Sequence, residues 1–498
     1  MNVEEVAGPG NAPLGPAGYP RTLTSPMFAH ARSQGSTEAS REVLFRLFLS
    51  GAFQGFLIFL PAVRKRMGGT HETAGSRGGC NAAHHITEIR SRDFMIPPFI
   101  YLDRYRNEGT RIYSPHADYT EAEERYRPNS SIPTFDLPAF QLPSTELNVY
   151  SADPAPALQE RYTGEDRSLF CVHPQLLRSG TDDPYLKKAL SYGKPGERIQ
   201  VSPSSSTRTL YVKELAEPHA LKVHFPFRVS RYRRRMREEV VEQAINVSRE
   251  LQRGVSAMDP GFAFLREVLG VTFKNLRPET PRGENWGYLV RELTPFPATV
   301  EDVSLVPGFS LFGRDFFEPE TAPLILDLVG DSDPRSYVLE QIMFPIIRHW
   351  VSCFLNFGLL LEPHGQNVLL EVSADGDVAR IVYRDLNLGM DDRRRRNLRL
   401  AEDSSSTYNR METGEFNSIT YDKFMGGHFF DLLVATLEES SPGLRREDFQ
   451  EPCRMEFARV FPEHEAYLPR TIRYFSEERD RFGKPLYLDT GQTPEWRP

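Results

Sequence analysis

The sequence predicts an α+β protein built around one antiparallel hairpin, and three stretches carry that prediction. Residues 368–383 read as two apolar, β-branched strands joined by a turn in which Gly376 can take a positive φ. Residues 198–212 repeat this pattern around a loop rich in Ser and Thr. Residues 336–361 have the 3.6-residue apolar period of one long amphipathic helix, which leads the chain into the hairpin.

The predicted hairpin brings polar residues together at its open end. Its strands are expected at 368–372 and 378–383, so the start of the first lies beside the end of the second. The polar residues at that end are His364, Gln366, Asn367, Arg384 and Asp385. Amide and carboxylate oxygens suit Mg²⁺, while a His and an Arg donate to phosphate oxygens. These residues predict a metal and nucleotide site; the alternative is a hairpin whose ends happen to be polar.

Hydroxyl and basic groups upstream predict a place for phosphates. The loop inside 198–212 crowds hydroxyls and backbone amides around Arg208, which suits a triphosphate; a solvated Ser-rich loop is the alternative. The strand expected at 219–225 places Lys222 among apolar residues, where a Lys usually has an anionic partner. The basic run at 228–237 is mostly a solvated face, although one or two of its arginines could reach inward.

Composition narrows the class of protein. The 498 residues are enough for two or three domains. A net charge of −8 argues against a general nucleic-acid binder, which is usually basic. The four cysteines, Cys80, Cys171, Cys353 and Cys453, are far apart and form no Cys-x-x-Cys pair. They are expected to be free thiols in a reducing cytosol, so we predict a cytoplasmic protein without a zinc or iron–sulfur site.

The first part of the chain gives fewer signals. Residues 1–40 are rich in Gly, Pro, Ala and Ser, are expected to be disordered, and lack the pattern of a signal peptide. Residues 43–63 are nearly apolar enough to span a membrane, but they contain Arg46 and Gln54. We interpret this segment as a buried helix and predict no membrane partner.

The order of these motifs resembles the NRPS-independent siderophore synthetases, the aerobactin-synthetase-like IucA/IucC family. The likeness runs from about residue 165 to about residue 475. Its most specific pieces are the sequence EPHGQN at 362–367 with the Arg-Asp pair at 384–385. The loop at 205–209 resembles the family's Ser-x-Arg-Thr loop, and Lys222 resembles the Lys on its following strand.

The resemblance implies a fold and an activity. The fold would be a cup of several subdomains: a thumb-like region at 41–165, an ATP-binding fingers-like region at 166–320 and a palm-like region at 321–498. The activity would be a ligase that uses ATP and Mg²⁺ to adenylate a polycarboxylate, citrate or a derivative, and condenses it with an amine or an alcohol. The implied partners are small-molecule carboxylate and amine substrates, with a homodimer as the expected assembly.

The resemblance also implies roles for individual residues. The triphosphate would be held by Ser205, Arg208, Thr209, Lys222 and Arg234. The nucleotide, its α-phosphate or its Mg²⁺ would be held by His364, Asn367 and Asp385, with Asn367 and Asp385 as metal ligands. The residues predicted to be catalytic are His364, Arg384 and Asp385.

Three other functions are alternatives, and particular residues argue against the first two. A kinase-like phosphotransferase would need an Asp two residues after the His, where this chain has Gln366, and a Gly-rich loop upstream. A ferric-siderophore reductase would need a C-terminal cysteine cluster, and Cys453 is the one cysteine after residue 353. A degenerate, non-catalytic member of the family is the third alternative.

Overall fold

The computed structural model describes residues 97–107, 119–180, 182–213, 217–230, 232–277, 284–298, 303–400, 409–479 and 485–498. These ranges fall within one compact unit, residues 76–498. The predictions made for residues 1–40 and 43–63 lie outside the described residues.

The described strands are numbered in chain order. They are β1 (Phe135–Pro143), β2 (Leu147–Ser151), β3 (Arg167–Cys171), β4 (Glu197–Pro203), β5 (Thr209–Val212), β6 (His219–Val223), β7 (Phe225–Val229), β8 (Tyr232–Arg234), β9 (Phe262–Phe273), β10 (Gly287–Phe296), β11 (Ser304–Pro307), β12 (Leu359–Leu360), β13 (Val368–Val372), β14 (Val378–Tyr383), β15 (Gly389–Asp391), β16 (Arg410–Met411), β17 (Arg473–Arg479) and β18 (Pro485–Asp489).

The described α-helices are numbered in the same way. They are α1 (Pro98–Tyr105), α2 (Pro156–Tyr162), α3 (Pro174–Arg178), α4 (Pro184–Ser191), α5 (Glu238–Gly254), α6 (Leu324–Val329), α7 (Pro334–Val338), α8 (Phe344–Phe357), α9 (Asp392–Leu398), α10 (Glu415–Ser418), α11 (Asp431–Ser440) and α12 (Arg446–Val460). Two π-helical segments, Leu339–Met343 and Ile419–Phe430, continue directly into α8 and α11.

Helices and a large, mostly antiparallel sheet form this mixed fold. The sheet has 11 strands in the order β11-β13-β14-β9-β10-β6-β5-β4-β1-β3, with β2 also paired to β9. The long strand β9 joins its two halves: its first residues pair in parallel with β14, and its last residues pair with β2. The sheet therefore carries the hairpin on one side of β9 and β10 and the serine-loop strands on the other.

The predicted hairpin is confirmed with its predicted bounds. Val368 lies opposite Tyr383, and the pairing continues to Glu371 opposite Arg380 before a bulge near the turn. Gly376 has a φ of +92°, a backbone conformation that costs glycine little. Neither strand lies at an edge of the sheet, because β13 also pairs with β11 and β14 also pairs with β9.

The helix predicted at 336–361 is present, but it contains a π-helical turn and ends before residue 361. The structure has α7, a π-helical turn, and then α8, which ends at Phe357, while Leu359 and Leu360 form β12. Pro345 lies in the first turn of α8, and its ring and missing N–H disturb the turn before it, where the Phe344 amide bonds to the carbonyl of Leu339. Gly358 then ends the helix with a φ of +62°.

The apolar cores lie against the two halves of the sheet. One cluster packs Trp350 and Phe354 of α8 with Leu370 and Tyr383 of the hairpin. Another fills the region of β1, β3, β4 and β6, where Phe170 and Trp286 pack together. Burial of these large side chains stabilises both halves of the sheet. It therefore also holds the polar residues at the strand ends in fixed relative positions.

Candidate functional site

One cavity collects the polar residues of the serine loop, the central strands and the hairpin. It is lined by Ser204, Ser205, Ser206, Arg208, Thr209, Lys222, Arg234, Arg291, Gln366, Asn367, Arg384 and Asp385. Every residue predicted for the site lines this cavity except His364, which lies in the turn just before Gln366. The structure therefore brings together groups that are far apart in the sequence.

Strand pairing explains why the serine loop and Lys222 meet. Thr209, at the start of β5, lies opposite Lys222 of β6, and Leu289 of β10 lies opposite Lys222 on its other side. Arg291 is two residues beyond Leu289, so its side chain leaves the same face of the sheet. Hydroxyl, ammonium and guanidinium groups thus share one face at the cavity.

Lys222 and Asp385 form the central ion pair of the cavity. The Lys222 ammonium donates to the Asp385 carboxylate, and the Lys222 side chain is 2% exposed while that of Asp385 is 34% exposed. Burial lowers the pKa of Lys222 to about 8, although Asp385 opposes the shift. Burial raises the pKa of Asp385, but the charges of Lys222 and of two nearby arginines outweigh it and hold that pKa well below its usual range. The expected anionic partner of Lys222 is therefore the hairpin's own carboxylate.

Three arginines add positive charge around this pair. Arg291 donates from Nε and Nη2 to one oxygen of the buried Glu267 carboxylate, at 3.0 and 2.5 Å. Arg208 donates to the carbonyl of Arg235 at 3.0 Å. The buried Nε of Arg234 has no hydrogen-bond partner within the described part of the chain. A protein with a net charge of −8 therefore concentrates cations at this cavity.

Two residues at the cavity have backbone conformations that L-amino acids seldom adopt. Asp385 has a φ of +71°, and Thr207, in the serine loop, has a φ of +70°. Asp tolerates this region, whereas a β-branched Thr does so only when its surroundings force it. Such strain of about 1–3 kcal/mol per residue is concentrated at functional sites. Here it occurs at Asp385, which lines the cavity, and at Thr207, whose neighbours in the serine loop line it.

His364 lies beside the cavity as a neutral ring. Its backbone carbonyl accepts from the Asn367 amide at 2.9 Å, and its Nδ1 accepts from the Gln366 amide at 3.3 Å. Burial lowers the pKa of His364 to about 4, so the ring is uncharged at pH 7. With Nδ1 accepting, the proton is on Nε2, which can then donate a hydrogen bond.

Arg384 uses its donors within the protein. It donates to Asp103 at 2.5 Å, to the Tyr211 hydroxyl at 3.1 Å and to the Gln366 carbonyl at 2.6 Å, and it is 6% exposed. Its catalytic role stays a prediction; the geometry describes a guanidinium that holds other groups in place.

Asp103 and Arg291 were not predicted as site residues from the sequence. Asp103 lies in the predicted thumb-like region, and it contacts residues about a hundred or more positions away, so no local sequence pattern indicates its role. Arg291 did have a signal, because it lies in an apolar strand, where a charged residue usually has a partner and a purpose.

The side chains that line the cavity are of the kinds that bind phosphate groups and a metal ion. Cations and hydroxyls from the serine loop and central strands face a cavity that includes a buried, unpartnered guanidinium nitrogen. The amide oxygen of Asn367 and the carboxylate of Asp385, both at the cavity, are hard oxygen ligands of the kind Mg²⁺ takes.

Family models match most of the described chain. Residues 119–313 match the IucA/IucC family, and residues 339–468 match the ferric iron reductase FhuF-like transporters. The predicted resemblance to the siderophore synthetases of the IucA/IucC family is confirmed over residues 119–313. No curated protein sequence matches the chain.

Solved structures of siderophore synthetases share the fold. Petrobactin biosynthesis protein AsbB from Bacillus anthracis str. Sterne is 17% identical, with a TM-score of 0.63 over 76% of this chain and 71% of that chain. ATP-bound aerobactin synthetase IucA from a hypervirulent pathotype of Klebsiella pneumoniae is 16% identical, with a TM-score of 0.58 over 77% and 72%. Aerobactin synthetase IucC from the same source is 15% identical, with a TM-score of 0.58 over 80% and 75%.

Although residues 339–468 match the FhuF-like model, the described residues contain no cysteine cluster. Cys171, Cys353 and Cys453 are free and buried, and burial raises the pKa of each thiol. Among the residues that the structure describes, no three His, Cys, Asp or Glu side chains form a group able to hold a metal. Nor does any helix in the described ranges have the length and apolar character needed to cross a bilayer.

Proposed function

We propose that this protein is an ATP-dependent ligase that adenylates a polycarboxylate, citrate or a derivative of it, and joins the acyl group to an amine or an alcohol. The observation that carries the proposal is the cavity, which is lined by cations, by hydroxyls, by the amide of Asn367 and by the carboxylate of Asp385. The match of residues 119–313 to the IucA/IucC family and the likeness in fold to ATP-bound IucA support it.

The first step would be attack by a substrate carboxylate oxygen on the α-phosphorus of ATP. The bond to the β-phosphate bridging oxygen breaks, pyrophosphate leaves, and an acyl-adenylate forms. The amine or alcohol then attacks the acyl carbon and AMP leaves. Negative charge grows on phosphate oxygens during the first step, so fixed cations and donors are the groups that lower its barrier.

The residues of the cavity would divide this work. The triphosphate would be held by Ser205, Arg208, Thr209, Lys222 and Arg234. The neutral His364 would donate from Nε2 to an α-phosphate oxygen. Asn367 and Asp385 would hold Mg²⁺, which would neutralise phosphate charge when bound.

The test of the proposal is exchange of labelled pyrophosphate into ATP. Purified protein with ATP, Mg²⁺ and one polycarboxylate is expected to catalyse exchange that depends on the acid and needs no amine. Citrate, succinyl acids and 2-oxoglutarate are the acids to compare, followed by polyamines and hydroxylated diamines as acceptors. Absence of exchange with every acid would overturn the ligase and favour a non-catalytic family member.

Replacing Arg208 with Ala is expected to weaken ATP binding by about 10- to 100-fold. The change removes a charge-assisted contact to phosphate of roughly 1.5–3 kcal/mol. Calorimetric titration of ATP measures the effect. Arg198→Ala is the matched control, because Arg198 lies on β4, the strand that leads into the serine loop, but its side chain is 76% exposed. Equal affinity in the two variants would remove Arg208 from the phosphate site.

A further inference from the structure

Asp103, on helix α1, connects the two halves of the candidate site. It is fully buried. Its Oδ2 accepts from the Ser205 amide at 3.0 Å and from the Tyr211 hydroxyl at 2.9 Å, and its Oδ1 accepts from the Ser205 hydroxyl at 3.2 Å and from Arg384 at 2.5 Å. One carboxylate therefore receives donors from both the serine loop and the end of the hairpin.

These contacts belong to a closed ring of hydrogen bonds. The Gln366 side-chain amide donates to the Ser205 hydroxyl at 3.1 Å, and Arg384 donates to the Gln366 carbonyl and to the Tyr211 hydroxyl at 2.6 and 3.1 Å. The donor and acceptor roles are consistent throughout, since each hydroxyl donates to Asp103 and accepts from one other member. Because the network is buried, any of its polar groups left without a hydrogen-bond partner would destabilise the fold.

We propose that Asp103 is a positioning residue that locks the serine loop to the hairpin, so that the phosphate cradle is assembled before the nucleotide arrives. Its importance for ATP rests on the proposed function. Ser205 and Gln366 themselves line the cavity, while Asp103 acts on it through them.

The geometry explains why this carboxylate matters to binding as well as to folding. The loop that Asp103 holds contains Thr207 at a φ of +70°, a conformation that persists only when its surroundings enforce it. Without the anchor at Ser205, the loop is expected to relax and to move its amides and hydroxyls away from the phosphates. Displacements of about 1 Å in positioning groups can cost about 100-fold in rate.

Asp103→Asn is the direct test. Asp103 faces donors on both of its oxygens, so an amide nitrogen in either place meets another donor and the ring opens. We expect the dissociation constant of ATP to rise by about 10- to 100-fold. Hydrogen exchange, measured by mass spectrometry without nucleotide, is expected to become faster in residues 204–209 and 364–367.

Two further variants separate positioning from general stability. Glu371→Gln is the matched control: Glu371 is fully buried on the same hairpin and accepts from Arg380 at 2.5 and 2.8 Å, but near the turn. It is expected to lower the melting temperature without changing ATP affinity. Tyr211→Phe removes one hydroxyl from the ring of hydrogen bonds and keeps the volume of the aromatic side chain. It therefore provides a milder variant if Asp103→Asn does not fold.

Each outcome decides the assignment. Local acceleration of exchange with weaker ATP binding in Asp103→Asn or Tyr211→Phe, but not in Glu371→Gln, supports it. Unchanged hydrogen exchange in residues 204–209 and 364–367, or acceleration spread over the whole chain, overturns it. If the wild type exchanges no pyrophosphate with any acid but the local effect on hydrogen exchange is seen, the proposed function fails and the positioning role of Asp103 stands.

Discussion

Asp385→Asn is expected to lower the rate of adenylation by orders of magnitude, a loss far larger than the modest decrease in stability that follows when the buried Lys222 loses its carboxylate partner. The substitution removes one negative charge and keeps the size of the side chain. Asn also tolerates the left-handed backbone that Asp385 adopts at a φ of +71°, so the hairpin end should keep its shape. What is lost is the carboxylate that would bind Mg²⁺ and that faces Lys222.

Metal dependence distinguishes this role from a structural one. Weakened binding can be driven by concentration, so part of the lost activity should return at high Mg²⁺. Pyrophosphate exchange measured over a Mg²⁺ series provides the readout. Asp375→Asn is the control, because Asp375 is exposed in the turn at the other end of the same hairpin. An active Asp385→Asn protein with normal Mg²⁺ dependence would end the case for this hairpin as the reaction centre.

The hairpin was predictable because all its information is local. Alternating β-branched residues, a turn with Gly376 and polar residues at both ends lie within about twenty positions. Pairing of Val368 with Tyr383 then places Asn367 beside Arg384, whose amide donates to the Asn367 carbonyl at 3.0 Å. Local sequence patterns likewise predicted the serine loop and the burial of Lys222.

The rest of the site depends on contacts that no local pattern contains. Asp103 and Arg384 are 281 positions apart, and only the complete sheet brings them together. The sequence required an anion near Lys222, but several acidic residues could have supplied it. Its identity follows from the order of strands across β6, β10, β9 and β14. The π-helical turn and the end of the helix expected at 336–361 were not predicted for a different reason, since neither Pro345 nor Gly358 breaks the apolar period.

The geometry also bears on the kinase-like alternative. In that mechanism an Asp two residues after the His accepts a proton from the substrate hydroxyl. Gln366 occupies this place, and its side-chain amide donates to the Ser205 hydroxyl at 3.1 Å. An amide is not a base at neutral pH, so the described residues provide no general base at the position where a kinase of this type needs one.

Lys222→Met is expected to weaken ATP binding by about 10- to 100-fold, because it removes a buried cation from the phosphate cavity and roughly fills its volume. It should also lower the free energy of unfolding. Removing one partner of a fully buried ion pair costs about 3–5 kcal/mol, and the loss here should be smaller because Asp385 is 34% exposed and still faces two arginines.

The double variant Lys222→Met/Asp385→Asn separates the two effects. In the double variant both charges of the pair are gone, so no charge is left without its partner. The decrease in the free energy of unfolding should therefore be smaller than the sum of the decreases in the two single variants. ATP affinity and pyrophosphate exchange should stay low, because neither the cation nor the metal ligand is restored. Urea denaturation and ATP calorimetry on the four proteins of the cycle measure both quantities. Additive stability losses would show that Lys222 and Asp385 do not depend on each other, and recovery of ATP binding in the double variant would show that Lys222 serves Asp385 rather than the phosphates.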